Sequence, residues 1–278
     1  MKFGLIGHPI EHSLSPALFK AGYDGLYPYE LIETSDFEKA YSIFLKEYDG
    51  INVTAPFKEL AIKKADILSE ECQKIGATNL LIKTAGGVMA HNSDYLGVRS
   101  WLEEISRLAS LARNDREATR NDREAVQNDK EGRDIEDKTT VLIVGMGGAG
   151  KAAAEAARSL GCEVTLMNRT QYSNEIRPLS QFKEAFKVAD IVIYNLPVRL
   201  PELDMICKED FIEGKPKNIL EANYRNPSFD NDLIHKFEQM HPQIQYTGGK
   251  TWLLLQALTG YEIFTGQKPD LEKMAARL

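Results

Sequence analysis

Short apolar runs alternate with segments of helical periodicity through the first third of the chain. The apolar runs predict strands at residues 2–7, 27–32, 50–53, 78–83 and 87–91. The spacing of apolar residues predicts one helix over residues 36–48 and another, after residue 53, that continues to Leu68. An earlier helix is expected to begin with Ser15 as its N-cap and Pro16 at its first position. Strands that alternate with helices are typical of an α/β fold with a mostly parallel sheet.

The pattern after residue 138 is strand, helix, strand, helix, strand, and it predicts a second α/β unit. Its strands are expected at residues 139–144, 163–167, 190–194, 217–222 and 244–247. An apolar helix over residues 252–264 follows and is expected to pack back on the first unit. We therefore expect two domains with a cleft between them. Residues 1–99 plus 250–278 would form a substrate-binding and catalytic domain, and residues 100–249 a Rossmann-type domain.

A polar seven-residue repeat occurs three times within residues 114–134. Each copy has only one or two apolar positions, which is too few for a coiled coil. Pairs such as Arg113 with Glu117, four residues apart, support a helix only weakly. We interpret residues 113–134 as a solvated helical or disordered insertion; the alternative is a helix that docks on a partner.

Composition excludes several classes of protein. The net charge of −7 over 278 residues gives no electrostatic footprint for nucleic acid. The three cysteines are scattered, which fits a reducing compartment, and no apolar run is long enough to span a bilayer. The start of the chain is broken by Gly, His and Pro before a signal sequence could form. The five histidines show no ligand spacing, so no metal is expected. We expect a cytoplasmic protein, a monomer or homodimer, without membrane or nucleic-acid partners.

A glycine-rich turn follows the first strand of the second unit. Gly145, Gly147 and Gly150 fill the pattern G-x-G-x-x-G between a predicted strand and a predicted helix, with Gly148 and Ala149 between them. The pattern provides a tight turn, close backbone approach to a pyrophosphate, and helix N–H groups that bind phosphate. The same run resembles a P-loop, but Ala152 lacks the hydroxyl that would bind Mg²⁺. A glycine-rich turn without a ligand is the remaining alternative.

The residues at the end of the next strand indicate which dinucleotide binds. An acidic residue there would bind the ribose 2'-hydroxyl of NAD and repel a 2'-phosphate. This chain has Asn168, Arg169 and Thr170 instead. Because a guanidinium can bind phosphate through paired hydrogen bonds, the sequence predicts NADP.

Polar motifs in the first unit lie mostly at predicted strand ends, where open α/β sheets bind ligands. They are Ser13-Leu14-Ser15-Pro16, Asn52-Val53-Thr54-Ala55-Pro56-Phe57-Lys58, Gly76-Ala77-Thr78-Asn79 and Asn92-Ser93-Asp94. Taken singly, each could serve as a cap, a turn or a solvated lysine. Together they provide hydroxyls, amides, one ammonium and one carboxylate, which suits a small polyol that carries a carboxylate.

These motifs resemble the shikimate dehydrogenase family, whose patterns occur here in the same order across nearly the whole chain, apart from the repeat. The resemblance implies NADPH-dependent reduction of 3-dehydroshikimate to shikimate, a step towards chorismate and the aromatic amino acids. It implies that Lys58 and Asp94 form the catalytic pair. It implies that Ser13 and Ser15 bind the substrate carboxylate, and it assigns the remaining site residues to ring hydroxyls (Thr54, Asn79, Gln256), the substrate pocket (Tyr224) and the nicotinamide (Gly249).

The chain departs from the family pattern at a few positions. Ser93 stands where the family has Thr, Leu80 follows Asn79 where Thr is usual, and Trp252 replaces a common Met. The proline after Tyr224 comes one position later than usual. The alternatives that remain are a quinate-directed or amino-sugar-acid-directed relative, a non-catalytic regulatory protein that binds NADP and a ligand, and a structural protein that acts through the repeat.

Overall fold

The computed structural model describes residues 1–121 and 138–278. The first unit is a six-stranded sheet in the order β2-β1-β3-β5-β6-β4. Strand β5 runs antiparallel to both of its neighbours, and the other three pairs are parallel. The strands are β1 (Phe3–Gly7), β2 (Tyr29–Glu33), β3 (Gly50–Val53), β4 (Ile67–Leu68), β5 (Leu80–Thr84) and β6 (Gly87–His91). The helices are α1 (Ser15–Gly22), α2 (Phe37–Glu47), α3 (Lys58–Ala61), α4 (Glu70–Ile75) and α5 (Ser93–Asn121).

The second unit is a fully parallel six-stranded sheet in the order β12-β11-β10-β7-β8-β9. This is the doubly wound arrangement expected of a Rossmann-type fold. Its strands are β7 (Thr140–Val144), β8 (Glu163–Met167), β9 (Ile176–Arg177), β10 (Ile191–Tyr194), β11 (Lys217–Glu221) and β12 (Ile244–Thr247). Its helices, and those that follow it, are α6 (Gly148–Ser159), α7 (Phe182–Val188), α8 (Pro201–Asp204), α9 (Asn231–Met240), α10 (Gly249–Thr265) and α11 (Leu271–Ala275).

Two predictions of local structure are wrong. The helix expected to continue to Leu68 ends at Ala61, and a short 3₁₀ turn and β4 follow it. The reason is a tertiary contact: the Asp66 N–H donates to the Val88 carbonyl, and the Asp66 carboxylate accepts from the Val88 N–H, both at 2.8 Å. Ser15 is the first residue of α1 and not its N-cap, so Pro16 is the second residue and not the first. Leu14 is the N-cap and makes no side-chain cap bond, and the Ser13 side chain accepts the Ser15 N–H at 3.2 Å.

Helix α5 runs from the first unit towards the second. The helix includes the start of the repeat segment, as far as Asn121, and the rest of the segment lies outside the described residues. Helix α10 crosses α5 closely. A Cβ on Gly97 of α5 would lie only 2.7 Å from the backbone nitrogen of Gln256 in α10. Around this crossing one apolar cluster joins both units, with Ala77 and Val98 from the first and Leu220 from the second.

A buried lysine begins β11. Lys217 is 3 % exposed, and its ammonium donates to the carbonyl oxygens of Phe186, at 2.6 Å, and Ala189. Burial lowers the pKa of Lys217 to about 8, although the Asp190 carboxylate acts to raise it. Removing an ammonium from water is unfavourable, so Lys217 costs stability while it remains charged.

We expect the free energy of unfolding to rise with pH between about pH 8 and 10. Across this window the unfolded lysine holds a proton that the folded lysine has released, so raising the pH favours the folded state, by up to about 3 kcal/mol. Urea unfolding at stepped pH values measures this slope in the wild type and in Lys217→Met, which should lose it. The exposed Lys187→Met serves as the control, and an unchanged slope in Lys217→Met would contradict the assignment.

Candidate active site

A cleft of about 230 Å³ lies between the two units, beside the carboxyl ends of β1, β3 and β11. Most predicted site residues line it, and they come from both units. They are Ser13, Ser15, Thr54, Lys58, Asn79, Asp94, Ala149, Tyr224, Gly249 and Gln256. Residues that the sequence placed far apart therefore meet at the edge where open α/β sheets bind ligands.

Lys58 and Asp94 form the ion pair of the cleft. Lys58 is the first residue of α3 and Asp94 the second residue of α5, and Lys58 Nζ lies 2.5 Å from Asp94 Oδ2. Their side chains are 18 % and 13 % exposed, so the pair is largely shielded but borders the cavity. An ammonium held in this way can deliver a proton to a ligand oxygen without a search through conformations.

The two predicted carboxylate-binding serines lie at the start of α1. Both line the cavity, and the Ser15 carbonyl accepts a hydrogen bond from the Tyr261 hydroxyl at 3.1 Å. The N-terminus of a helix is electropositive and carries unpaired N–H groups. Ser13 and Ser15 therefore lie where an anionic group of a ligand would be stabilised.

The loop that carries Tyr224 is held by a buried carboxylate. Glu221 is fully buried and accepts from the N–H groups of Ser228, at 2.5 Å, and Phe229, at 3.4 Å, and from the Tyr246 hydroxyl at 2.7 Å. Gly249 packs against the loop: a Cβ there would lie 2.7 Å from the Tyr224 nitrogen. Burial raises the pKa of Tyr224. The loop is thus anchored both at its base and against α10.

The glycine-rich turn lies against the catalytic candidate. Gly145 has a φ of +91°, which favours glycine, and a Cβ on Gly150 would lie 1.9 Å from the Gly145 carbonyl oxygen. A Cβ on Gly147 would meet nothing within 4 Å, so its backbone faces open space. A Cβ on Gly148 would lie 3.1 Å from Lys58 Cδ. A ligand held by this turn would therefore approach Lys58.

Asn168, Arg169 and Thr170 follow β8, beside the same turn but outside the residues that line the cavity. Asn168 Oδ1 accepts from the Met146 N–H at 3.2 Å, and Asn168 Nδ2 donates to the Thr170 carbonyl at 3.0 Å. The Asn168 amide therefore holds the turn and its own loop together. Arg169 is exposed, and no hydrogen bond or ion pair within the described residues engages its guanidinium.

Among the polar and aromatic residues that line the cavity, sequence reasoning assigned no role to His12, Asn52 and Trp252. Asn52 is 8 % exposed and accepts from the Tyr29 hydroxyl at 2.8 Å. Its position at the end of β3, in the same motif as Lys58, was the available signal. His12 is exposed at the edge of the cavity, directly before Ser13.

Comparisons with known proteins agree with this arrangement. Residues 5–81 match the shikimate dehydrogenase substrate-binding domain. Residues 105–236 match the NAD-binding domain of D-isomer specific 2-hydroxyacid dehydrogenases. The shikimate dehydrogenase (NADP(+)) of Pyrococcus furiosus is 27% identical over 290 residues, which cover 98% of this chain and 93% of that protein.

Solved structures of shikimate dehydrogenases are also similar to this chain. Shikimate 5-dehydrogenase from Thermus thermophilus, in complex with NADP(H) and shikimate, superimposes with a TM-score of 0.71 at 25% identity. The match covers 100% of this chain and 98% of that one. Over nearly its whole length the chain is similar to shikimate dehydrogenases. Quinate dehydrogenase from Corynebacterium glutamicum, in complex with NAD, has a TM-score of 0.73 over 100% of this chain and 98% of its own, but at 19% identity it shows the fold alone.

Two features are absent from residues 1–121 and 138–278. No helix there is long and apolar enough to cross a bilayer, and no group of three or more His, Cys, Asp or Glu side chains could hold a metal ion.

We expect Glu221→Gln to lower the free energy of unfolding by about 1–3 kcal/mol, because the new NH₂ group faces backbone donors that then lack an acceptor. Urea unfolding at pH 7 measures the change. Glu238→Gln, on the exposed face of α9, is the matched control and should have little effect. Equal stability of the two variants would show that Glu221 does not anchor the Tyr224 loop.

Proposed function

We propose that the protein is an NADP-dependent shikimate dehydrogenase, an oxidoreductase that reduces the ketone of 3-dehydroshikimate to the alcohol of shikimate, a step towards chorismate and the aromatic amino acids. The observation that carries the proposal is the position of Lys58. It pairs with Asp94 at 2.5 Å in the cleft, and it lies beside the glycine-rich turn, where a Cβ on Gly148 would come within 3.1 Å of Lys58 Cδ. A proton donor and a dinucleotide-binding turn therefore share one cavity.

The chain's own residues supply the proton and the orientation for this reaction. When bound, NADPH supplies the hydride that adds to the ketone carbon. Negative charge then develops on the carbonyl oxygen, and the Lys58 ammonium stabilises this oxygen and donates a proton to it. Asp94 holds the ammonium in place. In the reverse direction Lys58 accepts the proton that the alcohol releases.

The remaining cavity residues bind the substrate in this proposal. Ser13 and Ser15, at the start of α1, hold the carboxylate, where the helix dipole also favours an anion. The ring hydroxyls are held by Thr54, Asn79 and Gln256, with Tyr224 at the pocket wall. Each of these side chains has a donor or an acceptor, as a polyhydroxylated ring requires.

The residues of the turn fit a dinucleotide. Gly145, Gly147, Gly148, Ala149 and Gly150 bring the backbone and the α6 N-terminus to the pyrophosphate. The open face of Gly147 leaves room for that group. Asn168 positions the turn, and Arg169 and Thr170 bind the ribose 2'-phosphate, for which the exposed guanidinium is free among the described contacts. Gly249, which lines the cavity at the start of α10, would lie at the nicotinamide.

We propose the domain division stated above, with residues 1–99 plus 250–278 as the substrate domain and residues 100–249 as the cofactor domain. The separate sheets support it. We also propose that the protein acts in the cytoplasm as a monomer or homodimer, without nucleic-acid or membrane partners. The free cysteines and the net charge of −7 support this part.

The first test is NADPH formation with shikimate, run beside quinate as substrate and NAD as cofactor. We expect rapid turnover only with shikimate and NADP, because Arg169 favours the 2'-phosphate. Turnover with quinate would instead indicate the quinate-directed relative. A folded protein that binds NADPH but shows no turnover with any combination of substrate and cofactor would instead indicate a regulatory binding protein.

We expect Lys58→Ala to lower kcat by roughly 10²–10⁴-fold, because it removes the proton donor of the transition state. The dissociation constant for NADPH should change little, since Lys58 only borders the turn. Steady-state kinetics and NADPH fluorescence titration measure the two effects. Lys63→Ala, an exposed lysine beyond α3, is the control. A Lys58→Ala enzyme with near wild-type kcat would remove Lys58 from this role.

A further inference from the structure

One buried serine contacts two of the amide side chains that line the cavity. Ser93, the first residue of α5, is fully buried and does not itself line the cavity. Its N–H donates to Asn79 Oδ1 at 2.7 Å, and its hydroxyl lies 3.0 Å from Asn79 Nδ2 and 3.0 Å from Gln256 Oε1. A longer contact of 3.3 Å joins the Ser93 hydroxyl to Asn79 Oδ1.

The Ser93 backbone fixes the direction of these hydrogen bonds. A backbone N–H can only donate, so Asn79 must turn its oxygen towards it and its nitrogen towards the Ser93 hydroxyl. The hydroxyl accepts from that nitrogen and gives its single hydrogen to Gln256 Oε1, which is nearer than Asn79 Oδ1. This orients Gln256 as well, and its nitrogen donates to the Leu253 carbonyl at 3.0 Å.

Among the described residues, each of the two amides has one N–H without a partner. Each NH₂ group has two hydrogens, and in Asn79 and Gln256 one of them is used within the protein. The oxygen of each amide is already an acceptor for Ser93. A ligand in the cavity therefore meets these two residues chiefly as donors, and it must offer oxygen atoms that accept.

We propose that Ser93 is a positioning residue for the substrate: it sets Asn79 and Gln256 so that both donate to ring oxygens. This rests on the proposed function, because it assigns the substrate's oxygens at that side of the ring as acceptors. Helix α10 has a glycine, and so no side chain, at the position that faces Ser93. A Cβ on Gly260, one turn after Gln256, would lie 3.1 Å from both Cβ and Oγ of Ser93.

The test compares Ser93→Ala with Ser93→Thr, which retains the hydroxyl. We expect Ser93→Ala to raise KM for shikimate roughly tenfold, because two donors lose their orientation, while KM for NADP stays within about twofold. Ser93→Thr should restore KM for shikimate. Ser100→Ala removes an exposed serine hydroxyl from the same helix and serves as the control.

Three outcomes would overturn the proposal. They are an unchanged KM for shikimate in Ser93→Ala, an equal rise of both KM values with a lowered melting temperature, and a Ser93→Thr enzyme as impaired as Ser93→Ala. The last two would assign Ser93 to packing.

A second measurement does not depend on turnover, so it separates failure of this inference from failure of the proposed function. In ¹⁵N NMR of the protein without ligand, the side-chain NH₂ signal of Asn79, assigned through its loss in Asn79→Asp, should exchange slowly with solvent. The same protection is expected in Ser93→Thr, with faster exchange in Ser93→Ala. Equal exchange in all three proteins would overturn the inference, whatever substrate the enzyme uses.

Discussion

The cleft depends on the close crossing of α5 and α10. A side chain on Gly97 would collide with the Gln256 backbone, so the crossing requires glycine there. Helix α5 begins at the cleft with Ser93 and Asp94 and continues onto α6 of the second unit. Helix α10 begins beside the Tyr224 loop and returns to the first unit, where Phe264 stacks on Phe3. Both helices therefore begin at the cleft and tie one unit to the other.

Apolar packing holds the two units together more than charge does. Two ion pairs bridge them beside the cleft, Lys151 with Glu59 at 2.6 Å and Lys74 with Glu155 at 3.4 Å. Each pair has one well-exposed partner, and exposed pairs contribute only about 0–1 kcal/mol. The buried cluster around Trp252 joins side chains from both units, and burying one large apolar side chain contributes about 1.5–3 kcal/mol. The cleft should therefore keep its geometry at high salt.

Local pattern was enough to predict much of the fold. Strands β3, β6, β8 and β12 have the predicted bounds. Each is an apolar run, or a run of alternating apolar and polar residues, with turn residues on either side, so nearby residues are enough to indicate where it begins and ends. The end of α3 could not be predicted, because a contact between Asp66 and the distant Val88 determines it. The site divides in the same way. Motifs and the resemblance indicated Lys58, Asp94 and Gln256, whereas Glu221 and the orienting contacts of Ser93 became visible only when distant elements were brought together.

The departures from the family pattern fall on residues that support the site and not on those proposed to react. Ser93 keeps the hydroxyl of the usual threonine and with it both amide contacts. Trp252 is 4 % exposed, and the cluster between the units accommodates most of its added volume. The Tyr224 loop, whose proline comes one position later than usual, is anchored by the buried Glu221 carboxylate. Because Lys58 and Asp94 are unchanged, these substitutions should alter how firmly a substrate is held more than what is done to it.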